Sequence, residues 1–138
     1  MMIFFKNRND KEQITNFVKI AALLIHAAKI DENYSIEEEK IIKKTLLNLG
    51  VEKGKLNTLV EEAKNIEAQS NHILDFTKEF KNLDEKEKIN IVKSLWRIIY
   101  SNKDADIYET NLMRRLAGLL YIDSKIMGDI KEQIKKEF

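Results

Sequence analysis

The chain has 138 residues, with 24 Lys and Arg against 23 Asp and Glu and a net charge of +1. That length suits one domain around one core, and the balanced, interleaved charge provides no large field to steer the protein to nucleic acid or anionic lipid. Cysteine is absent, which excludes a disulfide framework, a thiolate nucleophile and Cys-ligated zinc.

Residues 1–9 read as an N-terminal tail and residues 10–138 as one helical domain. The opening run Met1-Met2-Ile3-Phe4-Phe5-Lys6 is too short for a signal-peptide core and has no basic flank before it. It reads as a loosely docked terminus, with a peripheral membrane foot as the alternative. No stretch reaches transmembrane length, and the cytoplasm is the expected compartment. Proline is absent, glycine occurs 4 times, and apolar residues recur at three and four positions, so the expected fold is all-α, a single bundle of about seven helices.

Asp10 followed by Gln13 has the form of a capping box and opens a helix over residues 11–29, apolar almost all round at Ile20-Ala21-Ala22-Leu23-Leu24-Ile25. Ser35 with Glu38 caps a second helix that ends near Leu49, where Gly50 suits a left-handed C-cap. A third helix is expected over residues 52–67. A fourth, over residues 71–80, would carry Ile73, Phe76, Thr77 and Phe80 on one face. Asp84 with Glu87 caps a fifth, whose buried stripe is Ile89, Val92, Leu95, Trp96 and Ile99. Asp106 with Glu109 caps a sixth, carrying Leu112, Met113, Leu116, Ala117 and Leu120, and Asp123 or Ser124 opens a seventh that reaches the C-terminus. Short connections imply neighbours packed antiparallel or at steep angles.

Asp31 to Glu38 and Asn102 to Glu109 repeat one another at an offset of 71 residues. The match extends to Ile20 with Ile91, Leu24 with Leu95, Ile41 with Leu112, and Lys43-Lys44 with Arg114-Arg115. A helical hairpin is thus used twice, which predicts an internal pseudo-two-fold axis. Each turn gathers oxygen-bearing side chains: Asp31, Asn33 and Glu38 with Ser35 in the first, Asn102, Asp104, Asp106 and Glu109 in the second. Calcium and magnesium take such oxygen ligands, so Asp31, Asn33, Glu38, Asp104, Asp106 and Glu109 form a candidate divalent-cation site. The turns are not EF-hands: Ile36 and Ile107 stand where Gly is required, and Ile42 and Met113 where a bidentate Glu is required. The competing reading assigns Ser35, Glu38, Asp106 and Glu109 to helix capping alone, which leaves Asp31, Asn33, Asn102 and Asp104 to carry the cation.

The pattern Ile30-Asp31-Glu32-Asn33-Tyr34-Ser35-x-x-Glu38, with Leu95-Trp96-x-x-Ile99-Tyr100 leading to Asn102-x-x-x-Asp106-x-x-Glu109 and Arg114-Arg115-Leu116-Ala117-Gly118-Leu119-Leu120, resembles the TerB-like family, named for tellurite-resistance proteins. Leu74-x-Phe76-Thr77 and Leu83-Asp84-x-x-Glu87-Lys88 fit it as well. The likeness covers about residues 14–130. It implies a seven-helix pseudo-symmetric domain, an association with stress resistance, and divalent cations at the acidic turns. Three residues depart from the family pattern: Glu32 and Lys103 replace glycines and Asn102 replaces an Asp, and the Lys103 ammonium would oppose a nearby cation.

Other candidates have structural readings. His26, seven residues after Lys19, reads as a polar-seam histidine, and His72 as a surface or capping one. Arg114 and Arg115 read as partners of nearby acids or as binders of an anionic partner, and Trp96 and Tyr100 as core rather than a stacking platform. There is no Ser-His-Asp arrangement, Gly-rich phosphate loop or His pair on one helical face. The expected function is a non-enzymatic binding module holding a divalent cation, with the stress association that the TerB-like resemblance implies. The alternative is a metal-free protein-interaction scaffold with an unidentified protein partner.

Overall fold

The computed structural model describes residues 10–29, 35–70, 74–78, 80, 83–101 and 107–138. Among them the chain is helical without strands: α1 (Asp10–Ala28), α2 (Ile36–Leu49), a 3-10 turn (Lys53–Lys55), α3 (Leu56–Gln69), α4 (Leu74–Thr77), α5 (Glu85–Ser101), α6 (Ile107–Leu119) and α7 (Ser124–Lys135). The all-α bundle expected from periodicity is what forms. Of the expected 71–80 helix, the described residues show one α-helical turn, α4, with 3-10 geometry at Lys78 and Phe80, and residues 71–73 and 79 lie outside them. Aromatic and β-branched residues are indifferent helix formers, and here burial of Phe76 and Phe80, rather than helical hydrogen bonding, holds the segment.

The apolar length of α1 explains its central place. Ile20 to Ile25 are all essentially sealed from water, as a helix without a polar face must be. It packs most extensively on α3, and also on α2, α4 and α5, while α5 packs on α7 and α2. The α5 stripe is Ile91, Val92, Leu95, Trp96, Ile98 and Ile99, with Ile89 only partly covered. Inside that core Thr45 Oγ1 and Ser94 Oγ lie 2.6 Å apart, linking α2 to α5. Each also reaches a carbonyl one turn back on its own helix, Ile41 O at 2.8 Å and Asn90 O at 3.2 Å. One hydroxyl donates to the other, which donates to its own backbone, so both are satisfied.

The starts of α2, α5 and α7 follow the caps read from sequence, while the side chains of the pairs Asp10–Gln13 and Asp106–Glu109 lie outside the described residues. Ser35 Oγ accepts from Glu38 N at 3.2 Å and Glu38 Oε1 accepts from Ser35 N at 2.8 Å, a reciprocal box stabilising the α2 terminus by about 0.5–2 kcal/mol. Asp84 and Glu87 do the same before α5, at 2.7 and 2.9 Å. Asp123 caps α7 through Lys125 N at 2.7 Å, and α7 ends at Lys135.

The repeat proves larger than a hairpin. Ile36 opens α2 and Ile107 opens α6, and both helices end in the same left-handed cap. Gly50, at φ 109°, and Val51 donate to Leu47 O and Leu46 O; Tyr121, at φ 57°, and Ile122 donate to Gly118 O and Ala117 O. This is a Schellman pattern, and the residue after each left-handed position, Val51 or Ile122, is buried as that motif favours. The third helices follow in step: Leu56, Leu59 and Ala63 of α3 fall on Met127, Ile130 and Ile134 of α7, all buried. Each half is thus three helices, the first packed on the third.

Candidate functional site

Of the six cation candidates, the described residues include one side chain, Glu38. It stands one turn into α2, is fully buried, and gives Oε1 to the Ser35 amide. Asp31, Asn33, Asp104 and Asp106 lie outside the described residues, as do His72 and residues 1–9. Glu109 lies in α6, but its side chain is likewise outside them. Among the described residues no group of three or more His, Asp or Glu side chains could hold a metal ion.

Two polar junctions that the sequence reading did not pair stand where the first helix of each half meets the third. In the first, Glu67 of α3 is buried and takes one bond from α1 and one from the residue that follows it: His26 Nδ1 lies 3.1 Å from Oε2, and Lys29 Nζ donates to Oε1 at 2.7 Å. A carboxylate only accepts, so Nδ1 carries a proton. The His26 ring lies 6.5 Å from that of Phe76 in α4. His26 is therefore a polar-seam histidine, as expected, and its carboxylate is named. The signal is faint in sequence, because 41 residues separate the partners.

In the second half, adding 71 turns His26 into Arg97, Lys29 into Tyr100 and Glu67 into Phe138. Arg97 of α5 donates from Nε and Nη2 to both oxygens of Glu137, at 3.0 and 3.1 Å. That guanidinium bond holds the Glu137 carboxyl below its ordinary value despite some desolvation, with the charges of Arg97, Lys93 and Lys44 adding to the effect. Where Lys29 meets Glu67, Tyr100 meets Phe138 instead, ring centroids 6.4 Å apart. Tyr100 stacks in turn on Trp96 at 5.9 Å, and Lys131 Nζ lies 5.5 Å from the Trp96 ring centre. Burial pushes the Tyr100 phenol up, with Glu132 contributing. Trp96 is core, as expected, and its Nε1 is buried without an acceptor among the described residues. Arg114 and Arg115 are exposed.

A third contact ties α3 to α2. Lys64 reaches Glu39 at 2.8 Å and Glu61 at 3.0 Å, and these bonds raise the ammonium above its ordinary value. What the described side chains do chemically is bind helices to one another through charge. The three-helix repeat, its matched left-handed caps and its paired first-to-third junctions form the frame in which the family match falls. The family model described as Tellurite resistance protein TerB matches residues 17–132. The chain belongs to the TerB family. The match spans both halves of the repeat, α1 to α7, so the TerB unit here is the duplicated bundle rather than either half. No curated protein and no solved structure matches the chain. Among the described residues, no helix is long and apolar enough to cross a membrane.

Proposed function

We propose that this TerB-family chain is a non-enzymatic, stress-associated binding module of the cytoplasm whose acidic turns take a divalent cation, calcium or magnesium. Asp31, Asn33 and Glu38 would serve the first turn and Asp104, Asp106 and Glu109 the second. The observation that carries this reading is Glu38, a carboxylate with no exposure at the entry of α2 whose Oε1 accepts from Ser35 N, a few residues after Asp31 and Asn33 in the chain. Removing a carboxylate from water is costly unless donors or a cation compensate it, and hard cations take carboxylate oxygens. The non-enzymatic reading is supported by His26 and Glu67. This histidine–carboxylate pair is bound to Lys29 as a helix junction.

A cation that binds only the folded chain raises its stability by about 2.7 kcal/mol at a hundredfold excess over Kd. Melting temperature should therefore climb with calcium, magnesium or manganese and return with chelator. The paired change Asp31→Asn with Asp104→Asn should erase the shift. Superimposable melts with metal and with chelator would end this reading. The second reading, a metal-free interaction scaffold, is favoured by the Ser35–Glu38 box, in which Glu38 Oε1 already serves the helix terminus.

A further inference from the structure

The first and second junctions differ in how they are covered. On α1, the stretch Ala22, Ile25 and Ala28 is sealed, and α4 brings Phe76 against His26. On α5, adding 71 to Ala22, Ile25, His26 and Lys29 gives Lys93, Trp96, Arg97 and Tyr100, and over this face lie Glu137 and Phe138. That cover is shallow: the Glu137 side chain is 43% exposed and Phe138 is 65% exposed.

The face also carries more recognition chemistry than its cover uses. Arg97 presents a two-pronged fork, the geometry that suits a carboxylate. Lys44 of α2 and Lys93 of α5 act electrostatically on the same carboxylate, and neither has an ion pair of its own among the described residues. One of the three cations, Arg97, bonds the acid, and the other two act on it through their charge alone. Tyr100 presents a ring stacked on Trp96, whose indole N–H is buried and has no acceptor among the described residues. A buried donor without an acceptor is uncommon in a folded protein and calls for an explanation.

We propose that this face of α5 is a docking site for an acidic–aromatic segment of a partner protein, and that Glu137 and Phe138 are its exchangeable resident occupant. The partner's carboxylate takes the Arg97 fork and its aromatic side chain takes the place of Phe138 on Tyr100. A second acid answers Lys93 and Lys44, and a main-chain carbonyl in the partner supplies the acceptor for Trp96 Nε1. The resident pair satisfies only the first two of these needs, so a longer segment of the same chemistry displaces it. The site depends on neither the cation reading nor its failure, and it is tested in chelator.

Trp96 is the only tryptophan in the chain, so its emission reports on the site. The probe is a synthetic peptide bearing Glu-Glu-Phe in a Gly/Ser frame, titrated into the full chain beside a Gln-Gln-Ala control peptide. A saturable change in Trp96 emission with the first peptide only is expected. The double variant Glu137→Gln with Phe138→Ala empties the seat and should tighten binding about tenfold if the resident occupies it nine-tenths of the time. Arg97→Glu should abolish binding. Should Arg97→Glu fail to fold by circular dichroism, Lys44→Gln with Lys93→Gln, both changed near the surface, should weaken it and flatten its salt dependence. Four results would overturn the proposal: no saturable response in the emptied variant, an equal response to the control peptide, a response to anionic vesicles or oligonucleotide instead, or a dimer formed by tail exchange that the peptide leaves intact.

Discussion

Where α1 meets α3, Glu67 is withdrawn from water and bonded by His26 and Lys29; where α5 meets the residues that follow α7, Phe138 stands at the position of Glu67, and its neighbour Glu137 makes a shallow fork with Arg97 beside a run of stacked rings. The backbone frames agree down to the left-handed caps, yet the chemistry set upon them does not. Burial pattern is what the packing of three helices demands, and it is kept; residues at the rim of the junction answer to no such demand and have diverged. Half-buried charge also behaves differently from exposed charge. Breaking the first junction leaves groups that water cannot fully reach, whereas breaking the second returns them to solvent.

The strongest test of a shared core is to empty it at matched points. Leu24→Ala and Leu95→Ala, both at sites with no exposure, should each lower stability by about 3 kcal/mol with one cooperative transition. Two separated transitions in urea would show instead that the halves fold independently. Next in size is the junction contrast: Glu67→Ala should cost about 1–3 kcal/mol, and Glu137→Ala less than about 1 kcal/mol. Equal losses in denaturant melts would contradict the difference drawn between them.

The caps provide a finer comparison. Gly50→Ala forces a Cβ into the left-handed region and should cost about 1 kcal/mol. Tyr121→Gly relieves the same penalty but loses the contact in which Lys88 Nζ sits 5.7 Å from the Tyr121 ring centre, so a gain of at most about 1 kcal/mol is expected. A gain from Gly50→Ala would refute the cap assignment. The smallest effect is on pH. Glu137 has a lowered folded pKa, so its contribution is full above the ordinary value of 4.5 and is lost as pH falls through the folded value. Glu137→Gln should flatten the acid limb of a stability–pH curve slightly, and an unchanged limb would count against the bond. Tyr100 and Lys64 have raised values, so their contributions fade as pH rises above 10.0 and 10.5 respectively.

Much of the fold was readable because local rules and the global packing agreed. Ser35 with Glu38 and Asp84 with Glu87 announced helix starts by spacing alone, and Gly50 announced an end. The third helix of the repeat was missed because Leu56, Leu59 and Ala63 share burial, not identity, with Met127, Ile130 and Ile134. Carrying the offset of the hairpins past Gly50 and Tyr121 would have found it. Tyr121 disguised the second cap, since a tyrosine gives no hint of a left-handed backbone. The junction partners were hidden for another reason: side chains 41 or 40 residues apart meet only once three helices are packed. Of the candidate cation site, only the capping arrangement at Glu38 falls within the described residues. The oxygens of Asp31, Asn33, Asp104 and Asp106 are known by residue type alone.

A chain built on a repeat faces a problem of identity, since its two halves share helix order, left-handed caps and buried positions. Thr45 and Ser94 resolve it chemically: their counterparts 71 residues away are Leu116 and Leu23, so the hydroxyls find each other in only one assembly. A helix seated in its sibling's berth, or in a neighbouring molecule's, would set a hydroxyl against leucine, where it keeps the bond to its own backbone carbonyl and loses the one between helices. Two small oxygen atoms thereby act as a key that tells the halves apart.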